Sequence, residues 1–137
     1  MREALLSGFA LIGLMCLGHA IIFAFFSVRS DNQQRERAEE KSSALLRSWL
    51  TPEQTKDWDA RSKFDVVSSN SRTRYRIRRA SAMNIDELDP NGSVAAQWCF
   101  ARRGNLALGD VMLAQKIALE TMEENTLALA NKRVPYQ

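Results

Sequence analysis

Arg72, Arg74, Arg76 and Arg78 stand at alternate positions, and they are the sharpest chemical pattern in this chain of 137 residues. On a β-strand, residues two apart share a face. The spacing predicts a ridge of guanidinium groups at steps of about 6.6 Å, roughly 20 Å long. Such groups repel one another unless anions or carboxylates lie between them. Two readings stay open. The ridge meets an acidic protein patch, lipid head groups or nucleic acid. Alternatively it is a sheet face whose arginines pair with Asp and Glu on adjacent strands. Nucleic acid is the less favoured partner, because Tyr75 falls on the other face and leaves no aromatic among the arginines for base stacking. Arg102 and Arg103 extend the ridge if their loop folds that way.

The residue types exclude most other chemistry. The chain has a single histidine, His19, and two cysteines, Cys16 and Cys99. From Arg29 onward there is no histidine, so Ser-His-Asp and Cys-His arrangements are not available there. One cysteine without histidine does not make a typical zinc site. No glycine-rich phosphate loop occurs, and Gly104 and Gly109 are isolated. The carboxylate pairs Asp57/Asp59, Asp86/Glu87 and Glu123/Glu124 read as solvated surface, although dispersed carboxylates leave acid–base catalysis open. The expectation is a non-enzyme with no cofactor, no metal and no small-molecule substrate.

The residues before Arg29 are of a different kind. Ala4–Val28 carries no formal charge. About 20 apolar residues in a helix cross a bilayer, and a helix satisfies its own backbone in lipid. The run predicts a single transmembrane helix. A buried core helix would need a second apolar layer that the remaining sequence is too polar to supply. A signal peptide has a shorter apolar region and a small-residue cleavage site, whereas Phe23, Phe25 and Phe26 are bulky. Cys16 follows Met15, not the small residue a lipoprotein cysteine needs. Arg29, Arg35, Arg37 and Lys41 follow the run, against Arg2 before it, which places the C-terminal part in the cytoplasm. Cys99 alone from Arg29 onward agrees with a compartment that lacks disulfides. Ala10, Gly13, Cys16, Ala20, Ala24 and Ser27 recur at three or four residues: either a stripe on which helices pack closely in a membrane, or the small residues common in any span. His19 lies near mid-run, where a polar side chain is a functional candidate; it bonds a neighbouring helix or ligates a pigment or haem, or is an ordinary packing residue.

The elements that position the arginines follow in order. Residues 29–43 are a polar tether or helix continuation, and 44–137 form a small domain; the bounds before them are 1–3 and 4–28. Leu45, Leu46, Trp49 and Leu50 give a helical face over 38–50. Thr51-Pro52-Glu53-Gln54 is a helix start with a capping box, and Trp58 turns inward. Phe64 and Val66 share a face of a strand over 63–68, and Ser69-Asn70-Ser71 is turn chemistry. A strand over 72–79 follows, then one over 83–89. Pro90-Asn91-Gly92 turns the chain into a strand over 93–101, with Trp98 and Phe100 on one side. After a loop, 109–132 reads as one long amphipathic helix. The fold class expected is α+β: a single N-terminal transmembrane helix, then helices, an antiparallel sheet of three to four strands and a long C-terminal helix.

Leu50–Gln54, Phe64–Arg79 and Gly109–Asn131 together resemble a small α+β domain of unknown function seen in uncharacterised bacterial and phage proteins. The resemblance covers most of the part from Arg29 onward and none of the apolar run. It implies the α+β fold and no activity.

Two functions are expected from these features. The first is a single-span accessory or structural subunit of a larger membrane assembly, such as an energy-converting complex or a membrane-containing virion. It docks on other membrane-protein subunits and the lipid bilayer through the small-residue stripe and the clamp domain. The second is a membrane-tethered binding module whose arginine strand holds an anionic partner.

Overall fold

The computed structural model describes residues 29, 31–100 and 104–134. One compact unit runs Glu39–Gln137. Before it, residues 31–38 are helical and exposed. The compact unit opens with helix α1 (residues 39–48), followed by α2 (Pro52–Arg61), β1 (Lys63–Val67), β2 (Arg74–Arg78), β3 (Ile85–Leu88) and β4 (Val94–Cys99). Then come α3 (Leu108–Thr121), α4 (Glu123–Ala128) and β5 (Asn131–Arg133).

The five strands form one antiparallel sheet in the order β1-β2-β3-β4-β5. Alternation sends Phe64, Val66, Tyr75, Ile77, Ile85, Ala96 and Trp98 to one face. Leu46 of α1 and Met112, Leu113 and Leu119 of α3 close over them as a single core. Each such large apolar side chain stabilises the fold by about 1.5–3 kcal/mol when fully buried. α2 lies along β1: Trp58 meets Phe64 edge-on at 6.2 Å, and Gln54 Nε2 donates to the Asp65 carbonyl at 2.8 Å. Its start carries the reciprocal capping box of Thr51 and Gln54. α1 and α3 touch closely at Gly109, where a Cβ would come within 2.5 Å of the Ser42 backbone.

The sequence-based architecture is corrected in three places. Among the described residues no helix is long and apolar enough to cross a membrane, so the transmembrane element has no support in this structure. The run 4–28 expected to form it lies outside the described residues. The sheet has five strands where three to four were expected. The helix expected over 109–132 is three elements. Met122 leaves helical geometry at φ −141° and ψ 45°, and the chain then enters α4. Asn131–Arg133 pairs with β4, with Lys132 opposite Trp98. Helical periodicity over 109–132 could not register a break forced by Glu123, which is pulled under the β1–β2 turn (see below). The compact unit also takes in Glu39 and Ser42, which the sequence places in the tether. Ser42 is buried against α3, and Glu39 Oε1 accepts the Leu108 N–H at 3.0 Å.

Candidate partner-binding face

The side of the sheet opposite the core is ordered by the strand register. The middle row reads Asp65, Arg76, Asp86, Gln97 and Arg133 from β1 to β5. On one side of it lie Lys63 and Arg78. On the other lie Val67, Arg74, Leu88 and Val94. Five bases (Lys63, Arg74, Arg76, Arg78, Arg133) thus share this face with two acids (Asp65, Asp86).

The two acids sit between the arginines. Arg76 grips Asp65 with both Nε and Nη2, at 2.8 and 3.1 Å. That hydrogen bonding raises the Arg76 pKa above its ordinary value, against the opposing effect of burial. Arg78 grips Asp86 in the same forked way, at 2.7 and 3.0 Å, and also donates to the Met83 carbonyl at 2.5 Å. Gln97 Nε2 adds a third donor to Asp86 at 2.9 Å. Asp86 is only 4% exposed, so these bonds make up for its lost hydration. Arg74 is different. Its Nε is 4.0 Å from Asp65, and its side chain is 43% exposed. It lies over the β3–β4 turn, where Gly92, at φ +85°, leaves the room: a Cβ there would be 3.3 Å from Arg74 Nη2.

Arg72 stands apart from the other three. It adopts φ +63° in the β1–β2 turn, and β2 begins only at Arg74. The turn is closed by the Ser68 N–H donating to the Thr73 carbonyl at 3.0 Å. A left-handed residue in such a turn breaks the alternation that the sequence spacing implied. The ridge on the sheet is therefore Arg74, Arg76 and Arg78, with Arg72 exposed at its end. A depression of about 640 Å³ lies at that end, lined among others by Val67, Arg72, Arg74, Leu88 and Pro90.

A second polar cluster holds the same turn from the core side. The Glu123 carboxylate accepts from Ser68 Oγ at 2.7 Å, Ser71 Oγ at 2.7 Å and Tyr75 Oη at 2.5 Å. Burial pushes its pKa up, but the hydrogen bonds from Ser71, Tyr75 and Ser68 outweigh that and hold it below its ordinary value. Burial and then the Glu123 hydrogen bond push the Tyr75 phenol upward. Ser69 Oγ and the Ser69 N–H both donate to the Glu120 carbonyl, and Asn70 Nδ2 donates to Glu124. Glu123 is 6% exposed, so its carboxylate is spent fixing the turn to the α3–α4 junction, beside a depression of about 360 Å³ that Ser69, Asn70 and Glu124 also line.

Reading Asp86 and Glu123 as solvated surface was wrong; both are buried. Ser69 and Ser71 are turn residues in the sequence and Ser68 ends the strand before them, but their acceptors, Glu120 for Ser69 and Glu123 for the other two, lie more than fifty positions away. Strand alternation placed Asp86 opposite Arg76, a signal available once the hairpin register is known. The helix-stripe residues Ala10, Gly13, Cys16, Ala20, Ala24 and Ser27 lie outside the described residues, as do His19, Arg102 and Arg103. Among the described residues no group of His, Cys, Asp and Glu is arranged to hold a metal ion. Cys99 is a free thiol, partly buried. No family model matches this chain, and no curated protein or solved structure matches it either. The functional reading rests on the geometry.

Proposed function

We propose that this chain is a non-catalytic accessory or structural subunit of a larger assembly, held there by its folded unit. One observation carries the reading: the hydrophobic core lies on one face of the sheet, while the other face presents a cationic surface with Val67 and Val94 exposed beside Arg74. Exposed apolar residues rimmed by charge mark surfaces that meet other macromolecules. The buried acids are already engaged within the fold, Asp86 by Arg78 and Glu123 by three hydroxyls. That supports a structural role for them over a catalytic one. Membrane association of the assembly is proposed on sequence alone, from the absence of formal charge between Ala4 and Val28.

The alternative reading, a module that holds an anionic partner by its arginine strand, is favoured by Arg74, whose nearest carboxylate is at 4.0 Å. Native co-purification tests both. The full chain is tagged at its C-terminus, extracted in mild detergent from the membrane fraction, and washed at low and high salt. The accessory reading expects a fixed, near-stoichiometric set of proteins that survives high salt. Partners or nucleic acid lost at high salt favour the alternative. A chain that emerges alone overturns both.

A further inference from the structure

We infer that the end of the open face beside the β1–β2 and β3–β4 turns docks a partner-protein segment that is acidic and apolar in alternation. Its carboxylates would meet Arg72 and Arg74, and its apolar side chains would lie on Val67 and Val94. This rests on the accessory reading and narrows it to one corner of the sheet. Arg76 and Arg78 are already forked onto Asp65 and Asp86, so an incoming anion would have to break those pairs. Arg72 and Arg74 need no such exchange. Both are exposed, and among the described residues the carboxylate within ion-pair distance of Arg74 is Asp65, at 4.0 Å.

The apolar half is built into the same row. Val67 is 49% exposed and Val94 38% exposed, flanking Arg74 and the buried Leu88 across the strands. Pro90 adds to the wall of the depression. The two acids that also line it are occupied. Glu87 accepts from Trp98 Nε1 at 2.9 Å and lies 3.6 Å from Lys132 Nζ, and Asp89 Oδ1 accepts the Ser93 N–H at 2.8 Å.

This combination favours a peptide over a polyphosphate. A nucleic-acid backbone repeats its charge at every residue and would meet Asp65 next to Arg76. The aromatic residues Tyr75 and Trp98, which could stack on bases, are on the core side. A segment with acidic and apolar side chains on one surface matches the Val–Arg–Leu–Val row.

The test uses the purified full chain and four probes: a peptide alternating Glu and Leu, a poly-Glu peptide of equal length, single-stranded DNA, and vesicles containing phosphatidylserine. The Glu/Leu peptide is expected to bind most tightly. Arg72→Glu/Arg74→Glu should weaken it roughly tenfold or more. Val67→Ser should also weaken it, while leaving poly-Glu within about twofold, since apolar contact is what that variant removes. All three positions are exposed, and circular dichroism checks that the variants remain folded. Equal binding of poly-Glu, DNA or vesicles would overturn the inference in favour of a general polyanion surface. So would Glu/Leu binding that the double variant leaves unchanged, or no binding at all. Co-purification with the double variant separates the two levels. Partners that stay with it sink this inference and leave the accessory reading standing, whereas a wild-type chain without partners sinks that reading itself.

Discussion

Replacing Glu123 with Gln tests the buried turn lock directly. The side chain keeps its shape and loses its charge. In the native protein three hydroxyls donate to the carboxylate. Ser68 Oγ already accepts the N–H groups of Asn70 at 3.1 Å and Ser71 at 3.3 Å, so its proton must go to Glu123. An amide with its NH₂ toward Ser68 sets donor against donor. Turned over, it leaves the buried Tyr75 phenol proton without an acceptor. Either way one buried donor is unmatched, at about 1–3 kcal/mol. In the first orientation the bonds from Ser71 and Tyr75 survive but change from charge-assisted to neutral, at about 1 kcal/mol each; in the second only the Ser68 bond survives. The expected loss is about 4 kcal/mol at neutral pH, a large share of the roughly 5–15 kcal/mol of a small domain. Urea unfolding of the two proteins measures it. Because the folded-state pKa of Glu123 lies below its ordinary value of 4.5, its stabilisation is complete above that pH. It is lost as pH falls through the lower folded value, where the native carboxyl takes up a proton. The gap between native protein and variant should therefore narrow on acidification below about pH 4.5. A variant within about 0.5 kcal/mol of the native protein at pH 7 would refute the reasoning, as would a gap that widens in acid.

Other outcomes follow from single contacts. Asp86→Ala should cost about 1–3 kcal/mol in denaturant unfolding, since Arg78 and Gln97 lose their shared acceptor while Arg78, about a third exposed, keeps the Met83 carbonyl and gains water; a loss below about 0.5 kcal/mol would show that water replaces the carboxylate fully. Gly109→Ala should destabilise by about 1–3 kcal/mol or more, because the new methyl meets the Ser42 backbone at 2.5 Å and backbone cannot swing away; an unchanged melting temperature would mean that α1 shifts freely. Thr51→Ala should cost about 1 kcal/mol through loss of the capping box, and Thr51→Ser should restore most of it.

Much of the fold was legible in local sequence because its signals are short-ranged. Thr51 to Gln54 encodes a cap within four residues, and α2 starts there. Alternation at Phe64, Val66, Tyr75 and Ile77 assigns the core face because the strand repeat is two. Asp89 to Ser93 closes the β3–β4 hairpin with the turn residues that the sequence displays. The arginine spacing likewise put Arg74, Arg76 and Arg78 on one face.

Only the tertiary structure decided the rest. Which arginines are engaged depends on the acids that the register brings opposite them, and no local pattern contains that register: Asp65 and Asp86 hold Arg76 and Arg78, and Arg74 stays open. α3 ends at Met122, next to Glu123, whose carboxylate accepts from Ser68, Ser71 and Tyr75, contacts that helical propensity along 109–132 does not contain. The fifth strand, Asn131–Arg133, has no apolar alternation and exists because β4 offers it a free edge. By itself the sequence determined α2 with its Thr51 cap, the first four strands and the core face of β1 and β2. Long-range pairing decided which charges are buried and which remain at the surface, because desolvation and hydrogen bonding act between side chains that the chain brings together only when folded.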